Sequence, residues 1–488
     1  MLFNSIDFLF FFPAVVCIYL IIPPKIRYIW LLISSYYFYM SWNPKYALLI
    51  ALSTLITYLS GILIDKCPLA FHKKLIAAGS CVSNLAVLAL FKYSNFFLYS
   101  VRSILNIVGI HTAEYHLDLL LPVGISFYTF QALSYTLDVY HGTITPEKNI
   151  LRYALFVSFF PQLVAGPIER SRRLLGQIRS IHTIDLWNYP RIRDGLLLMI
   201  WGLFQKLVIA DRAALLVKQV YQNYYQYGFL EITIATILFA FQIYCDFGGY
   251  TNIARGAARI MGFELTQNFR QPYFALNIRD FWRRWHISLT SWFTDYLYIP
   301  LGGSRKGELR KYINILIVFT VSGLWHGASW NFIVWGIIHS IYQITESFFS
   351  KIVKEFTPSF SSGQLSFSRR LGKITKTFLF VDIAWIFFAS DSLNHAIRIF
   401  RQMSTSFQTT SLYGLGLTQG NWFMLCFALG ILCMVDLLHE TGYSIYQIVS
   451  HQTIWFRWLL YLGLLWCTIM FGIYGIDYDT GQFIYFQF

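Results

Sequence analysis

Long apolar runs alternate with short basic or turn-forming stretches from one end of the chain to the other. Because a helix of about 20 apolar residues crosses the hydrocarbon core of a bilayer, the runs predict an all-α polytopic membrane protein with about 11 transmembrane helices. The runs are residues 8–22, 28–42, 46–64, 75–91, 117–140, 195–210, 232–247, 313–325, 329–340, 377–389, 422–438 and 455–474.

Other stretches depart from this simple pattern. Residues 153–165 are apolar but short for a crossing, and residues 95–116 are mixed, so we expect re-entrant and interfacial helices there. Pro122 and Gly124 interrupt the fifth run, and such breaks are tolerated where the backbone is buried in protein or lines a cavity. The polar stripe after this break fits either a cavity wall or interhelical hydrogen bonds. It consists of Gln131, Ser134, Tyr135 and Asp138. The serine-rich segment 351–376 is expected to be a flexible loop.

Composition supports a membrane protein. The chain is 56% hydrophobic and 13% charged, whereas a soluble domain carries about 25% charged residues. The net charge of +14 would suggest nucleic acid in a soluble protein. Here the basic residues lie in loops between apolar runs, as Lys and Arg do on the cytoplasmic side of a membrane. We therefore expect membrane lipid and no nucleic acid as a partner, and the same loops suit a polyanionic coenzyme A thioester.

The seven cysteines are scattered, mostly within apolar runs, and no two have CxxC spacing. No pattern of cysteines and histidines matches a zinc site. We expect reduced cysteines, no metal and no permanently bound cofactor.

The densest cluster of chemistry-bearing residues lies between positions 279 and 339. Residues 279–292 read as one continuous helix, in which Arg279, Arg283 and His286 share a face. Ionisable groups in strongly apolar sequence are costly, roughly 2.5–3.5 kcal/mol on insertion scales, so each is a functional candidate.

Asp280 can pair with Arg284 one turn further along this helix. Arg279 and Arg283 are then left without a local acidic partner. Their planar guanidinium groups suit a phosphate or carboxylate. The alternative is that both arginines anchor the helix at lipid headgroups.

His326 lies between two uncharged runs and is flanked by Gly323 and Gly327. A neutral imidazole can take a proton from a hydroxyl and return it near neutral pH. The flanking glycines allow a backbone or a slim substrate to approach. Asn331, about one turn on, can orient the ring or a carbonyl, and Trp325 is a further positioning candidate. A packing histidine between helices is the alternative.

Asp246 closes the apolar run 232–247. A carboxylate there can pair with Arg255, support a catalytic histidine, or mark only the end of a helix.

The stretches FWRRWHISLTSWFTDYLYIPLGG and GLWHGASWNFIVWGIIH resemble the membrane-bound O-acyltransferase (MBOAT) family, and within it the alginate O-acetyltransferase branch. The resemblance covers most of the chain and is densest over 121–339. It implies one integral-membrane domain over 1–488, with helices around a central catalytic cavity. In that family the histidine of the WHG motif is taken as catalytic, which falls on His326. The histidine of the RRWH motif is a second functional position, which falls on His286.

The resemblance further implies an O-acyltransferase of a bacterial cytoplasmic (inner) membrane. It would take acetyl from cytoplasmic acetyl-CoA and pass it across the membrane for O-acetylation of an extracytoplasmic, alginate-like polysaccharide. A separate periplasmic or extracellular serine hydrolase-like acetyltransferase is the expected partner, and this chain has no GxSxG nucleophile elbow of its own.

Other functions stay open. The same fold serves peptidoglycan O-acetylation and the D-alanylation of teichoic acid, whose donor is a carrier protein. A proton-coupled transporter that uses His286, His326 and Asp246 as a relay is a distant alternative. Inverted repeats would be its signature, and the sequence shows none.

Overall fold

The computed structural model describes residues 1–113, 115–164, 166–356, 366–409, 411–474 and 484, and within these ranges every regular element is helical. The α-helices are α1 Ile6–Ile21, α2 Arg27–Met40, α3 Pro44–Lys66, α4 Ala70–Lys92, α5 Ser94–Ile107, α6 Ile125–Tyr140, α7 Ile150–Ser158, α8 Phe160–Leu163, α9 Ser171–Arg179, α10 Tyr189–Leu203, α11 Asp211–Gln222, α12 Phe229–Ile260, α13 Ile278–Arg284, α14 Ile287–Phe293, α15 Glu308–His326, α16 Trp330–Phe356, α17 Phe367–Ala389, α18 Leu393–Thr405, α19 Gln419–Glu440, α20 Ile445–Ser450 and α21 Ile454–Phe471.

Short helical segments of other types occur between them. Two are π-helical, Phe204–Ala210 and Thr294–Tyr298. The 3₁₀ segments are Pro24–Ile26, Ile181–Thr183, Tyr224–Gln226, Pro272–Phe274 and Leu412–Leu415.

Among the described residues, five helices are long and apolar enough to cross a membrane, namely α3, α4, α12, α19 and α21. Helix α1 is apolar but shorter. The predicted class, an all-helical membrane protein, is confirmed, while the number of about 11 crossings stays a prediction.

Part of the predicted loop 351–376 is helical, so that prediction is wrong at both of its ends. Helix α16 continues to Phe356 and α17 begins at Phe367. The remainder, residues 357–365, lies outside the described residues.

The chain forms two compact units. The first comprises Met1–Leu196 and Ala254–Thr266, and the second comprises Leu197–Ile253 and Gln267–Phe488. The prediction of one membrane domain over 1–488 with core motifs in 121–339 stays a prediction.

In the first unit, α6 begins at the break that the sequence marks. Gly124 has a φ of 75°, and a Cβ there would lie 2.5 Å from the carbonyl oxygen of Leu163. Gln131 and Tyr135 of α6 bond outside their own helix: Gln131 Nε2 donates to the carbonyl of Phe156 in α7 at 2.5 Å, and the Tyr135 hydroxyl accepts from the Glu147 amide at 3.0 Å. Of the two interpretations of this stripe, the structure favours interhelical hydrogen bonds.

In the second unit, α15 and α16 cross at very close range. A Cβ on Gly323 would lie 2.2 Å from the Phe332 carbonyl oxygen, and a Cβ on Gly336 would lie 2.2 Å from the Phe319 carbonyl oxygen. Only glycine permits such an approach of two helix backbones. The crossing fixes the end of α15, where His326 lies.

Candidate active site

The RRWH segment is broken at its histidine. Helix α13 ends at Arg284 and α14 begins at Ile287, and His286 lies between them in a left-handed conformation with a φ of 44°. The prediction of one continuous helix over 279–292 is therefore wrong. A left-handed non-glycine residue costs about 1–3 kcal/mol and persists only where its surroundings hold it.

Asn268 holds the chain at this break. Its backbone oxygen accepts from the Ile287 amide at 2.9 Å, and its side-chain Oδ1 accepts from the Ser288 amide at 3.2 Å. The side-chain Nδ2 of Asn268 in turn donates to Thr251 Oγ1 at 3.4 Å. These bonds satisfy two of the amides that the start of α14 would otherwise leave open. Sequence reasoning missed this role, because the bonded amides lie almost 20 residues further along the chain.

His286 and His326 form a buried pair. Their ring centroids lie 6.2 Å apart, and the residues are 0% and 3% exposed. The Trp325 ring lies 5.9 Å from His286 and 5.0 Å from His326. Burial lowers the pKa of the His286 imidazole well below its usual value, which favours the neutral ring. A neutral imidazole carries one donor and one acceptor and can exchange a proton with a hydroxyl.

Aromatic rings enclose this pair. Phe247 packs 4.8 Å from His286, and Trp335 and Phe388 pack 5.2 and 5.3 Å from His326. Such surroundings exclude water and strengthen electrostatic interactions between groups that enter.

A basic cavity of about 870 Å³ runs beside α13, α15 and α17. Its cationic side chains are Arg279, Arg283, Lys311, Lys373 and Lys376. Along α15 it reaches Ser322, one turn before His326. Both arginines that the sequence marked as anion ligands therefore face one cavity.

A second cavity has a volume of about 600 Å³. Gly327, Ala328 and Ser329, which follow His326 directly, are part of its wall. Its other walls carry both polar and apolar side chains, among them Lys218, Tyr221, Gln242, Phe332 and His395. His326 therefore lies in the chain between Ser322, in the wall of the basic cavity, and Gly327, in the wall of the second cavity.

Asn331 lies at the start of α16 and bonds to the end of α17. Its amide nitrogen donates to the carbonyl oxygens of Ser390 at 2.7 Å and Phe387 at 3.2 Å. Asn331 therefore holds two backbone carbonyls at the end of α17, and its role in positioning a substrate stays a prediction.

Asp246 lies in the middle of α12, so the interpretation as a helix end is wrong. Its carboxylate pairs with Lys206 at 2.5 Å and accepts from the Ile484 amide at 2.8 Å. Lys206 also pairs with Asp211 at 2.8 Å, and all three charged side chains are buried. Lys206 is the ion-pair partner that sequence reasoning did not assign to Asp246.

Comparison with known proteins finds relatives that are all described as acyl-transferring enzymes. The family described as MBOAT, membrane-bound O-acyltransferase family, matches residues 146–369. A peptidoglycan O-acetyltransferase of Helicobacter pylori is 34% identical over 83% of this chain and 80% of its own. A probable alginate O-acetylase AlgI of Pseudomonas aeruginosa is 36% identical over 83% of this chain and 75% of its own. A teichoic acid D-alanyltransferase of Bacillus subtilis is 27% identical over 48% of this chain and 61% of its own.

Helices that can span a membrane, together with a buried histidine pair whose chain neighbours line two cavities, are typical of a multi-pass membrane enzyme. The extent of the similarity then fixes its family. The chain belongs to the membrane-bound O-acyltransferase family and is an acyltransferase.

Proposed function

We propose that the protein takes acetyl groups from acetyl-CoA and passes them across the bacterial cytoplasmic membrane for O-acetylation of an extracytoplasmic polysaccharide. The observation that carries this proposal is the place of His326 in the chain, four residues after Ser322 in the wall of the basic cavity and directly before Gly327 in the wall of the second cavity.

The basic cavity is the proposed site of acetyl-CoA. Five cationic side chains suit the phosphates of a polyanionic donor, and arginine binds phosphate through two parallel hydrogen bonds. Lys311, near the start of α15, is 15 residues from His326, or about 22 Å at 1.5 Å per residue. Phosphates held near Lys311, Lys373 and Lys376 would let an extended thioester arm run along α15 toward the histidine.

The second cavity is the proposed route of the accepting hydroxyl. His326 takes the hydroxyl proton while the oxygen attacks the thioester carbonyl. The carbon–sulfur bond then breaks, and the thiolate of CoA recovers the proton from the imidazolium. Transient acylation of His326 itself, followed by transfer to the hydroxyl, gives the same balance. His286 and Trp325 position the reacting groups.

Sidedness follows from charge. Lys and Arg are enriched on the cytoplasmic side of membrane proteins, so the basic cavity is assigned to the cytoplasm. The second cavity then faces outward, where a periplasmic or extracellular serine hydrolase-like acetyltransferase would accept the acetyl group and pass it to the polysaccharide.

An alginate-like polysaccharide and peptidoglycan are both candidate acceptors. The likeness to the alginate O-acetylase supports the first, and the likeness to the peptidoglycan O-acetyltransferase supports the second to almost the same degree. D-alanylation has weaker support because that relative matches only 48% of the chain.

The test uses the purified full chain in detergent with radiolabelled acetyl-CoA, and follows CoA release and acetylation of added polysaccharide and partner. We expect His326→Ala to abolish turnover and His286→Ala to lower it strongly. His451→Ala alters an exposed histidine after α20 and serves as the control. Normal turnover in His326→Ala would reject the mechanism, and turnover only with an acyl carrier protein would reject acetyl-CoA.

A further inference from the structure

A third histidine, His339 on α16, is buried beside the active site but is already engaged. The Nδ1 atom of His339 accepts a hydrogen bond from Trp282 Nε1 at 3.3 Å. A neutral ring whose Nδ1 accepts must carry its hydrogen on Nε2. The basic nitrogen of His339 is therefore used by Trp282, which argues against a role as general base.

Glu346 lies two turns further along α16, on the same side of the helix as His339. Its Oε2 accepts from the backbone amide of Ile278 at 2.9 Å. Ile278 is the first residue of α13, so Glu346 satisfies an amide that the start of this helix leaves open. Glu346 also contributes to the wall of the basic cavity.

Helix α13 needs such support because it has only seven residues. Isolated helices of this length are not stable in water, since nucleation is costly and few hydrogen bonds follow it. At its start, Asn277 Oδ1 accepts from the Asp280 amide at 2.8 Å, and Asp280 Oδ2 accepts from the Leu276 amide at 3.0 Å. Glu346 adds the acceptor for the Ile278 amide.

The placement of α13 matters for the site. It carries Arg279, Trp282 and Arg283, all of which are part of the wall of the basic cavity. It also leads, through Trp285, into the left-handed His286. A shift of α13 would therefore move two phosphate ligands and one of the paired histidines together.

We infer that His339 and Glu346 are positioning residues, which hold α13 to α16 so that the basic cavity and His286 keep their geometry. This inference rests on the proposed function for its kinetic consequences. Its structural basis is the pair of hydrogen bonds that α13 donates to one face of α16.

Two variants of each residue separate positioning from catalysis. His339→Asn keeps an acceptor near the place of Nδ1, whereas His339→Gln places its amide near Nε2. Glu346→Gln keeps an oxygen acceptor for the Ile278 amide without the charge, whereas Glu346→Ala removes the acceptor. The measurements are KM for acetyl-CoA, kcat, the pH profile of kcat, and the melting temperature in detergent.

We expect His339→Gln and Glu346→Ala to raise KM by about tenfold, as the loss of one buried hydrogen bond would, and to lower the melting temperature. His339→Asn should retain KM within about threefold of wild type, with an unchanged pH profile. Glu346→Gln should retain the melting temperature of wild type, because its amide oxygen still accepts from the Ile278 amide. Equal losses of kcat in His339→Asn and His339→Gln, with KM unchanged and the pH profile altered, would show an acid–base role and overturn the inference. Wild-type behaviour of all four variants would also overturn it.

The two proposals fail in different ways. If wild-type protein does not use acetyl-CoA, the proposed function fails. The melting temperatures then still test whether His339 and Glu346 hold α13 to α16. If wild type turns over acetyl-CoA but His339→Gln and Glu346→Ala match it in both KM and melting temperature, only the positioning role of His339 and Glu346 is rejected.

Discussion

Replacement of Gly323 by alanine is expected to force α15 and α16 apart at the active site. The new Cβ would lie 2.2 Å from the carbonyl oxygen of Phe332, against 3.4 Å for an ordinary contact, a shortfall of 1.2 Å. The obstacle is backbone, so no side-chain rotation relieves it. His326 is three residues further along α15 and would move with the helix.

The size of the effect follows from packing and from geometry. Overpacking of this kind costs about 1–3 kcal/mol of stability. A displacement of about 1 Å at reacting groups can lower a rate by about 100-fold. We therefore expect Gly323→Ala to lower the melting temperature and to reduce kcat by roughly one to two orders of magnitude.

The assay compares Gly323→Ala with Gly430→Ala in detergent, by thermal unfolding and by CoA release. A Cβ on Gly430, in α19, meets no atom within 4 Å. The control should be neutral or stabilised, because alanine is favoured over glycine in a helix by about 0.5–1 kcal/mol. If Gly323→Ala were as stable and as active as the control, the close crossing of α15 and α16 would not hold the site.

Three further predictions concern the surroundings of the site. Asn268→Ala removes the side-chain acceptor at the start of α14 and should cost about 1 kcal/mol of stability. It should also lower kcat, because His286 directly precedes this helix; unchanged thermal unfolding and kcat would contradict the prediction. Lys206→Met leaves Asp246 without its cation and should lower the free energy of unfolding by about 3–5 kcal/mol. The measurement is the yield of folded protein on size-exclusion chromatography, and a normal yield would refute the buried ion pair. Arg283→Gln should raise KM for acetyl-CoA and weaken the dependence of KM on salt, because one charged phosphate ligand is lost. A loss of kcat alone would assign this arginine a different role.

The helices were predictable because apolar runs of membrane length carry their own signal. The run that predicted a crossing at 422–438 became α19, and the run 313–325 lies within α15, which ends at His326. Hydrogen bonds within each helix satisfy the backbone, so such segments need little information from elsewhere.

The break at His286 was not predictable from local pattern. The spacing of Arg279, Arg283 and His286 fits one helix, but Asn268, almost 20 residues earlier, bonds the amides of Ile287 and Ser288 instead. Periodicity describes neighbours on one segment and contains no information on partners from another. The ion-pair partner of Asp246 was missed for the same reason, because Lys206 lies 40 positions earlier in the chain.

The central claim is that His326 joins a donor cavity on one side of the membrane to an acceptor route on the other. The most direct measurement uses proteoliposomes of known orientation, with labelled acetyl-CoA on the side of the basic cavity and partner plus polysaccharide on the opposite side. The account predicts label on the outer polysaccharide with wild type, and none with His326→Ala or with acetyl-CoA supplied only outside. Equal labelling from either side, or labelling that survives His326→Ala, would contradict it.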